Sequence, residues 1–138
     1  MKFYIGDIRD LKSCENCIKD CDLVFHAAAL KQVPSCEFYP LEAVKTNIIG
    51  TLNVLESLKN AKSLKAIVSV TTDKVYQNKK QIWGYRETDA LGGNDPYSGS
   101  KSCADLVAQS YFHSFFQKSS FSHKLHLEAQ LGCQKGRK

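Results

Sequence analysis

Three features of this chain predict a parallel α/β fold. Strand-like and helix-like patterns alternate in the order strand, helix, strand, helix, strand, helix. Leu23–His26 and Leu64–Val70 are short and apolar, as buried strands are. Prolines and Asp or Ser residues stand where the helical patterns begin, at Asp10, Pro40 and Pro96. At 138 residues and 43% apolar content, the chain has the composition of one globular domain with a moderate core.

The elements follow in order. Lys2–Ile5 reads as a short strand, and 6–10 as the turn after it. Asp10 or Ser13 caps a helix that ends near Asp20. Leu11, Cys14, Ile18 and Cys21 form its inner stripe. Leu23–His26 is the next strand, with the small residues Ala27, Ala28 and Ala29 at its carboxyl end. Small side chains there serve either a closely approaching ligand or tight strand–helix packing. Pro40 opens a long helix to about Lys59, striped by Leu41, Val44, Ile48, Leu52, Leu55 and Leu58. Gly50 lies inside it and predicts a close approach. Leu64–Val70 is a strand, and 77–95 is a loop holding Gly84, Gly92 and Gly93. Pro96 opens the last clear helix, with Ala104, Val107, Ala108, Tyr111 and Phe115 facing inward. Two regions result: a folded part over 1–116 and a basic tail over 117–138, expected to be disordered or loosely attached.

The net charge of +5 belongs mostly to that tail, where five basic residues face Glu128 alone. A solvated end explains such a run better than a nucleic-acid surface, so no nucleic-acid partner is expected. Of six cysteines, Cys14, Cys17 and Cys21 are closely spaced, but their helical spacing reads as packing. No second C-x-x-C or paired His completes a metal set, so no metal is expected. No apolar run approaches the ~20 residues that span a bilayer, and the start at Met1-Lys2-Phe3 sets the expectation of no signal peptide. A cytoplasmic setting without a membrane is the expectation.

Chemistry concentrates in two segments. Tyr97 and Lys101 stand four apart at a helix start and share a face. An ammonium beside a phenol favours phenolate, so such a Tyr can act as a base nearer neutral pH. Upstream, Thr72, Asp73 and Lys74 follow the end of a strand. Each has a plainer reading: Asp73 and Lys74 as an exposed turn pair, Tyr97 as a packed aromatic, Lys101 as a solvated charge.

Taken together, Thr72-Asp73-Lys74 and Tyr97-x-x-x-Lys101 resemble the active-site pattern of extended short-chain dehydrogenase/reductases, in particular the nucleotide-sugar 4,6-dehydratases. Residues 83–89 and 92–97, with the 24-residue interval from Asp73 to Tyr97, resemble CDP-glucose 4,6-dehydratases. The run 24–37 is similar instead to UDP-N-acetylglucosamine 4,6-dehydratases. The resemblance extends from about Phe3 to about Phe116. It implies a partial Rossmann-like parallel sheet that lacks the first βαβ unit, because no G-x-x-G-x-x-G or G-x-G-x-x-G occurs. The chain then reads as an internal segment, inactive alone, with an unpaired apolar strand edge open to self-association or to a complementing chain.

The resemblance also assigns roles. NAD is the implied cofactor and a nucleotide sugar the implied substrate. Tyr97 takes the C4 hydroxyl proton. Lys101 lowers the Tyr97 pKa and holds the nicotinamide ribose. Thr72 bonds the C4 oxygen, Asp73 protonates the departing C6 hydroxyl, and Lys74 removes the C5 proton. Asp7, Ile8, Ala27, Ala28, Ala29 and Asn47 complete the cofactor wall. For Asp7 a plain Gly-Asp turn, and for Asn47 a helix flank, remain as alternatives. Trp83 and Tyr85 either cover the sugar or anchor the loop. A non-catalytic interaction piece is the third reading of the chain.

Overall fold

The computed structural model describes residues 2–116 and 126–130. Asp10 opens α1, Leu11–Ile18, its carboxylate accepting from the Lys12 and Ser13 amides. Strand β1 is Leu23–His26. Pro34 and Pro40 each stand in the first turn of a short helix, α2 over Val33–Phe38 and α3 over Pro40–Ala43. A π-helical turn, Val44–Ile49, joins α3 to α4, Gly50–Lys59. Strand β2 is Ala66–Thr71, followed by a 3₁₀ turn at Asp73–Val75. Helix α5, Pro96–Tyr111, runs into a second π-helical turn at Phe112–Phe116. Strand β3 is His126–Gln130.

The three strands are parallel, in the order β1-β2-β3. Leu23 pairs with Ala66 and His26 with Ser69; Ile67 pairs with His126 and Thr71 with Gln130. Against this sheet α1, α4 and α5 bury Cys14, Ile18, Val54, Leu55, Leu58, Ile67, Ala108 and Phe116. Each large apolar side chain in that cluster contributes ~1.5–3 kcal/mol on leaving water. Gly50 meets its expectation: a Cβ there would lie 2.5 Å from Ile8 Cδ1. The turn before α1 therefore seats directly on α4, and Asn53 Nδ2 donates to Ile8 O at 2.9 Å to hold it.

Several expectations change. Lys2–Ile5 is not a strand, and Phe3, Tyr4 and Ile5 are exposed. A strand needs a ladder partner, and none lies beside this segment among the described residues. β1 is not buried on both faces. Val24 and His26 turn to the core, whereas Leu23 and Phe25 are 71% and 68% exposed. Only one face of β1 is covered, because alternate strand residues face opposite ways. The long helix from Pro40 exists as a run, but its π-helical turn rotates the stripe, leaving Leu41 and Val44 exposed. At the end of α5 the wider turn likewise buries Phe116 and exposes Phe115. The basic tail over 117–138 was expected to be disordered or loosely attached; within it His126–Gln130 is a strand paired with β2. The rest of that expectation, over 117–125 and 131–138, lies outside the described residues.

Candidate active site

The carboxyl ends of β1 and β2 come together beneath the first turns of α5. Where β2 stops, Thr72 is extended and caps the 3₁₀ turn, its hydroxyl accepting from Lys74 N at 3.4 Å. The same hydroxyl donates to Asp73 Oδ1 at 3.1 Å. Thr72 is buried, Asp73 is half-buried and Lys74 is exposed. One short turn thus grades three candidate side chains from interior to solvent.

Asp95 caps α5 through Ser98 N at 2.9 Å and Ser98 Oγ at 2.6 Å. Burial raises the Asp95 carboxyl, but the Ser98 bonds outweigh it and hold the group below the usual carboxylate range. Tyr97 and Lys101 are both buried on the face toward the β2 end. Gly93 lets the loop pass close to this turn: a Cβ there would lie 2.4 Å from the Ser98 backbone carbon. Two serines then fix the helix in place. Ser100 Oγ donates to Tyr97 O at 2.8 Å and accepts from Asn47 Nδ2 at 2.9 Å. Ser102 Oγ lies 2.7 Å from Val75 O, tying α5 to the turn that carries Asp73 and Lys74.

The electrostatics differ from the Tyr–Lys expectation. Burial pushes the Tyr97 phenol above its usual range; a hydrogen bond with Thr72 pulls it down, and Asp73, Cys36 and Asp95 push it further up. Lys101 does not point its charge at the phenol. Its ammonium donates to Val70 O at 2.8 Å, and burial pushes its pKa down. Lys74 Nζ lies 5.8 Å from the Tyr97 ring centroid.

On the β1 side, Ala27 and Ala28 are exposed and Ala29 is half-buried, so a small-residue surface lies open at the strand end. Asn47, fully buried in the π-helical turn, fastens that segment. Its Oδ1 accepts from Leu30 N at 2.8 Å and its Nδ2 donates to Leu30 O at 2.9 Å. Asn47 thus spans the alanine segment and Ser100 of α5, and its side chain is spent on that role. Asp7 is exposed, paired through both carboxylate oxygens with Arg9, which holds its pKa at about 2. Arg9 also pairs with Glu42, linking the turn to α3. Ile8 packs on Gly50.

Sequence reasoning missed His26 and Thr51. His26 is buried, with Nε2 3.0 Å from Thr51 Oγ1. Thr51 donates its one proton to Asn47 O at 2.7 Å. His26 must therefore donate from Nε2 to Thr51, which leaves Nδ1 unprotonated in the neutral ring. The signal available was the i, i+4 spacing of Asn47 and Thr51 on one helix face.

A cleft of about 300 Å³ opens beside the 3₁₀ turn. Asp73, Lys74, Asn78, Asn94 and Asp95 line it, with Tyr85 stacked on Tyr76 at 5.1 Å between centroids. Tyr85 is thus part of the wall, whereas Trp83 stands exposed in the loop.

This arrangement has known counterparts. The family described as polysaccharide biosynthesis protein matches residues 1–86. The chain belongs to this family. The CDP-glucose 4,6-dehydratase of Salmonella typhimurium is 43% identical over 123 residues, 88% of this chain and 34% of that enzyme. The UDP-glucose 4-epimerase of Rickettsia akari is 55% identical over 76 residues, 55% of this chain and 22% of that protein. A dTDP-glucose 4,6-dehydratase from Streptomyces venezuelae, solved with NAD bound, superposes with a TM-score of 0.75 at 30% identity, over 80% of this chain and 34% of that one. The chain therefore spans about a third or less of the relatives it matches. Its fold is that of the Rossmann-like nucleotide-sugar dehydratases and epimerases of the extended short-chain dehydrogenase/reductase family.

The residues fit the nicotinamide side of a dinucleotide. The open alanine surface abuts the end of β1, the Lys101 ammonium is fixed at Val70 O on β2, and the buried Thr71 hydroxyl has no hydrogen-bond partner among the described residues. The glycine-rich turn for the pyrophosphate is not in the sequence.

Proposed function

We propose that this chain supplies the acid–base part of the active site of an NAD-dependent nucleotide-sugar 4,6-dehydratase, with CDP-glucose as its substrate. The observation that carries this reading is the meeting of Thr72, Asp73 and Lys74 with Tyr97 at the carboxyl end of β2. NAD, when bound, accepts hydride from C4 of the hexose and returns it to C6. Tyr97 takes the C4 hydroxyl proton, and Thr72, bonded to the phenol, steadies the same oxygen. Lys101, anchored at Val70, would hold the nicotinamide ribose, and the small side chains of Ala27, Ala28 and Ala29 would leave room for the cofactor. Lys74 removes the C5 proton and Asp73 protonates the C6 oxygen as it leaves as water. A neighbouring acid and base on an irregular turn address two adjacent carbons, which elimination requires. The cleft beside the turn takes the sugar.

A second reading keeps the fold and changes the nucleotide. The 55% identity to a UDP-glucose 4-epimerase over 76 residues favours a UDP-sugar substrate, as did the run 24–37.

The test rebuilds the enzyme. A glycine-rich first βαβ unit and the sugar-nucleotide domain of a CDP-glucose dehydratase are grafted onto residues 3–116. Tyr97→Phe should suppress the first hydride transfer, whereas Asp73→Asn should spare it, so that reduced cofactor accumulates while dehydration slows. Each loss should cost ~10²–10⁴-fold in its own step. Single-turnover NADH absorbance separates the two. Equal loss of hydride transfer in both folded variants refutes the division of roles, and no effect in either refutes the dehydratase reading. The same chimera, offered CDP-glucose and UDP-sugars side by side, decides between the two substrates.

A further inference from the structure

Among the described residues, only two Lys, Arg, Asp or Glu side chains are buried: Lys101, 7% exposed, and Asp105, 2% exposed. One is a cation and the other an anion. They stand one turn apart on α5, so both leave the same face of the helix. A lone charge is costly to hold in an apolar interior, and a neighbour of opposite sign offsets part of that cost. Their hydrogen bonds go to neutral partners. The Lys101 ammonium donates to Val70 O at 2.8 Å, and Asp105 Oδ1 accepts from Gln109 Nε2 at 3.2 Å. A carbonyl and an amide orient the two groups but balance neither charge. We propose that Asp105 is a positioning residue of the candidate site: its carboxylate is the counter-charge that keeps Lys101 an ammonium fixed against β2.

The other groups around Lys101 do not supply that charge. His26 on β1 is neutral at pH 7, because burial and the Lys101 charge push its pKa down to about 4. Tyr97, one turn earlier on α5, keeps its phenolic proton because burial raises it above the usual range. Strand β2 presents the Val70 carbonyl. The π-helical turn and α4 bring Asn47 to Ser100 and Thr51 to His26, and both side chains are neutral. Asp73 and Asp95 bear on the Tyr97 phenol. Burial lowers the Lys101 pKa, and the Asp105 carboxylate opposes that loss.

The meaning of this pair for catalysis rests on the dehydratase reading; its geometry does not. Hydrogen bonds from an ammonium are roughly twice as strong as those from a neutral amine. A Lys101 that lost its proton would hold Val70 O less firmly and would bring no positive charge to the strand end. Asp105 itself touches neither cofactor nor substrate in that reading. It acts through Lys101, one helical turn away, and Gln109 holds its carboxylate in place a further turn along α5.

The test uses the whole chain and no cofactor. Carbon NMR at Cε of labelled lysine follows the ionisation of Lys101, whose signal is assigned by its loss in Lys101→Met. Asp105→Asn removes the charge and keeps an oxygen for Gln109. It should lower the Lys101 midpoint by about one pH unit, the scale of a close opposite charge. Asp105→Glu should restore most of that shift. A merely structural Asp105 would change stability and leave the midpoint where it was. Coupling between two sites is equal in both directions. Lys101→Met should therefore raise the midpoint of the Asp105 carboxyl by a similar amount, read by carbon NMR at Cγ of labelled aspartate. This second titration decides the matter if Asp105→Asn does not fold. An unmoved Lys101 midpoint in folded Asp105→Asn, or an unmoved Asp105 midpoint in Lys101→Met, overturns the proposal. Either result would leave the dehydratase reading to stand or fall on the chimera.

Discussion

His26 is held neutral by where it lies. Burial pushes its pKa down to about 4, and the nearby Lys101 charge adds to the shift. The usual value is 6.5, so the unfolded chain binds a proton there that the folded chain does not. A depressed folded pKa gives stability that is complete above the unfolded value and lost as pH falls toward the folded one. Between pH 7 and pH 5 the native protein should therefore lose about 2 kcal/mol more than a His26→Gln variant. Urea unfolding at the two pH values measures this, and equal losses would show that His26 is not the proton acceptor. The same ring, through Thr51 and Asn47, braces the strand end that presents Ala27–Ala29. Acid should thus loosen the Ala27–Ala29 segment before it unfolds the core around Leu55 and Leu58.

At the scale of elements, α5 carries Tyr97 and Lys101 of the candidate site. Its start is set by Asp95 and Pro96, its lateral position by Ser100 and Ser102, and its approach to the loop by Gly93. Removing the cap with Asp95→Ala should cost ~1 kcal/mol of stability. Amide exchange should rise first over 97–101, the turn carrying both Tyr97 and Lys101, while α4 stays protected. Asp95→Ser should retain most of the protection because serine also caps. Uniform loss of protection across α4 and α5 would mean that the cap supports the whole core and not the catalytic turn. The π-helical turn at Val44–Ile49 works at the same scale. Its extra residue per turn places Asn47 inward, where it meets Leu30 and Ser100 together.

For the molecule as a whole, the sheet edge at β1 governs behaviour in solution. Leu23 and Phe25 are exposed on a strand whose outer side has no partner among the described residues, and Phe3, Tyr4 and Ile5 add apolar surface. Such an edge promotes association. Chain 1–138 should sediment as concentration-dependent oligomers, and Phe25→Lys should shift it toward monomer. It should also fail to bind NAD at micromolar concentration, since its sequence holds no glycine-rich turn to cradle a pyrophosphate. Sedimentation as a single monomer at all concentrations contradicts the first expectation, and a calorimetric micromolar affinity contradicts the second.

Local chemistry made much of this protein readable in advance. Asp10 and Asp95 cap, Pro40 and Pro96 begin helices, Gly50 permits contact with Ile8, and Tyr97 and Lys101 share a face, because each depends on residues within one or two turns. The pairing of Thr72–Lys74 with Tyr97 was legible as a motif, and the fold brings the two segments together. Other outcomes depended on neighbours distant in the chain. Whether Leu23 and Phe25 are buried depends on what covers the second face of β1. Whether Lys2–Ile5 forms a strand depends on a ladder partner, and β3 exists because β2 offers one to His126–Gln130. Lys101 turns to Val70 O because a buried ammonium must find a hydrogen-bond acceptor. Periodicity and spacing report the face a side chain occupies; only the packed structure decides what it meets there.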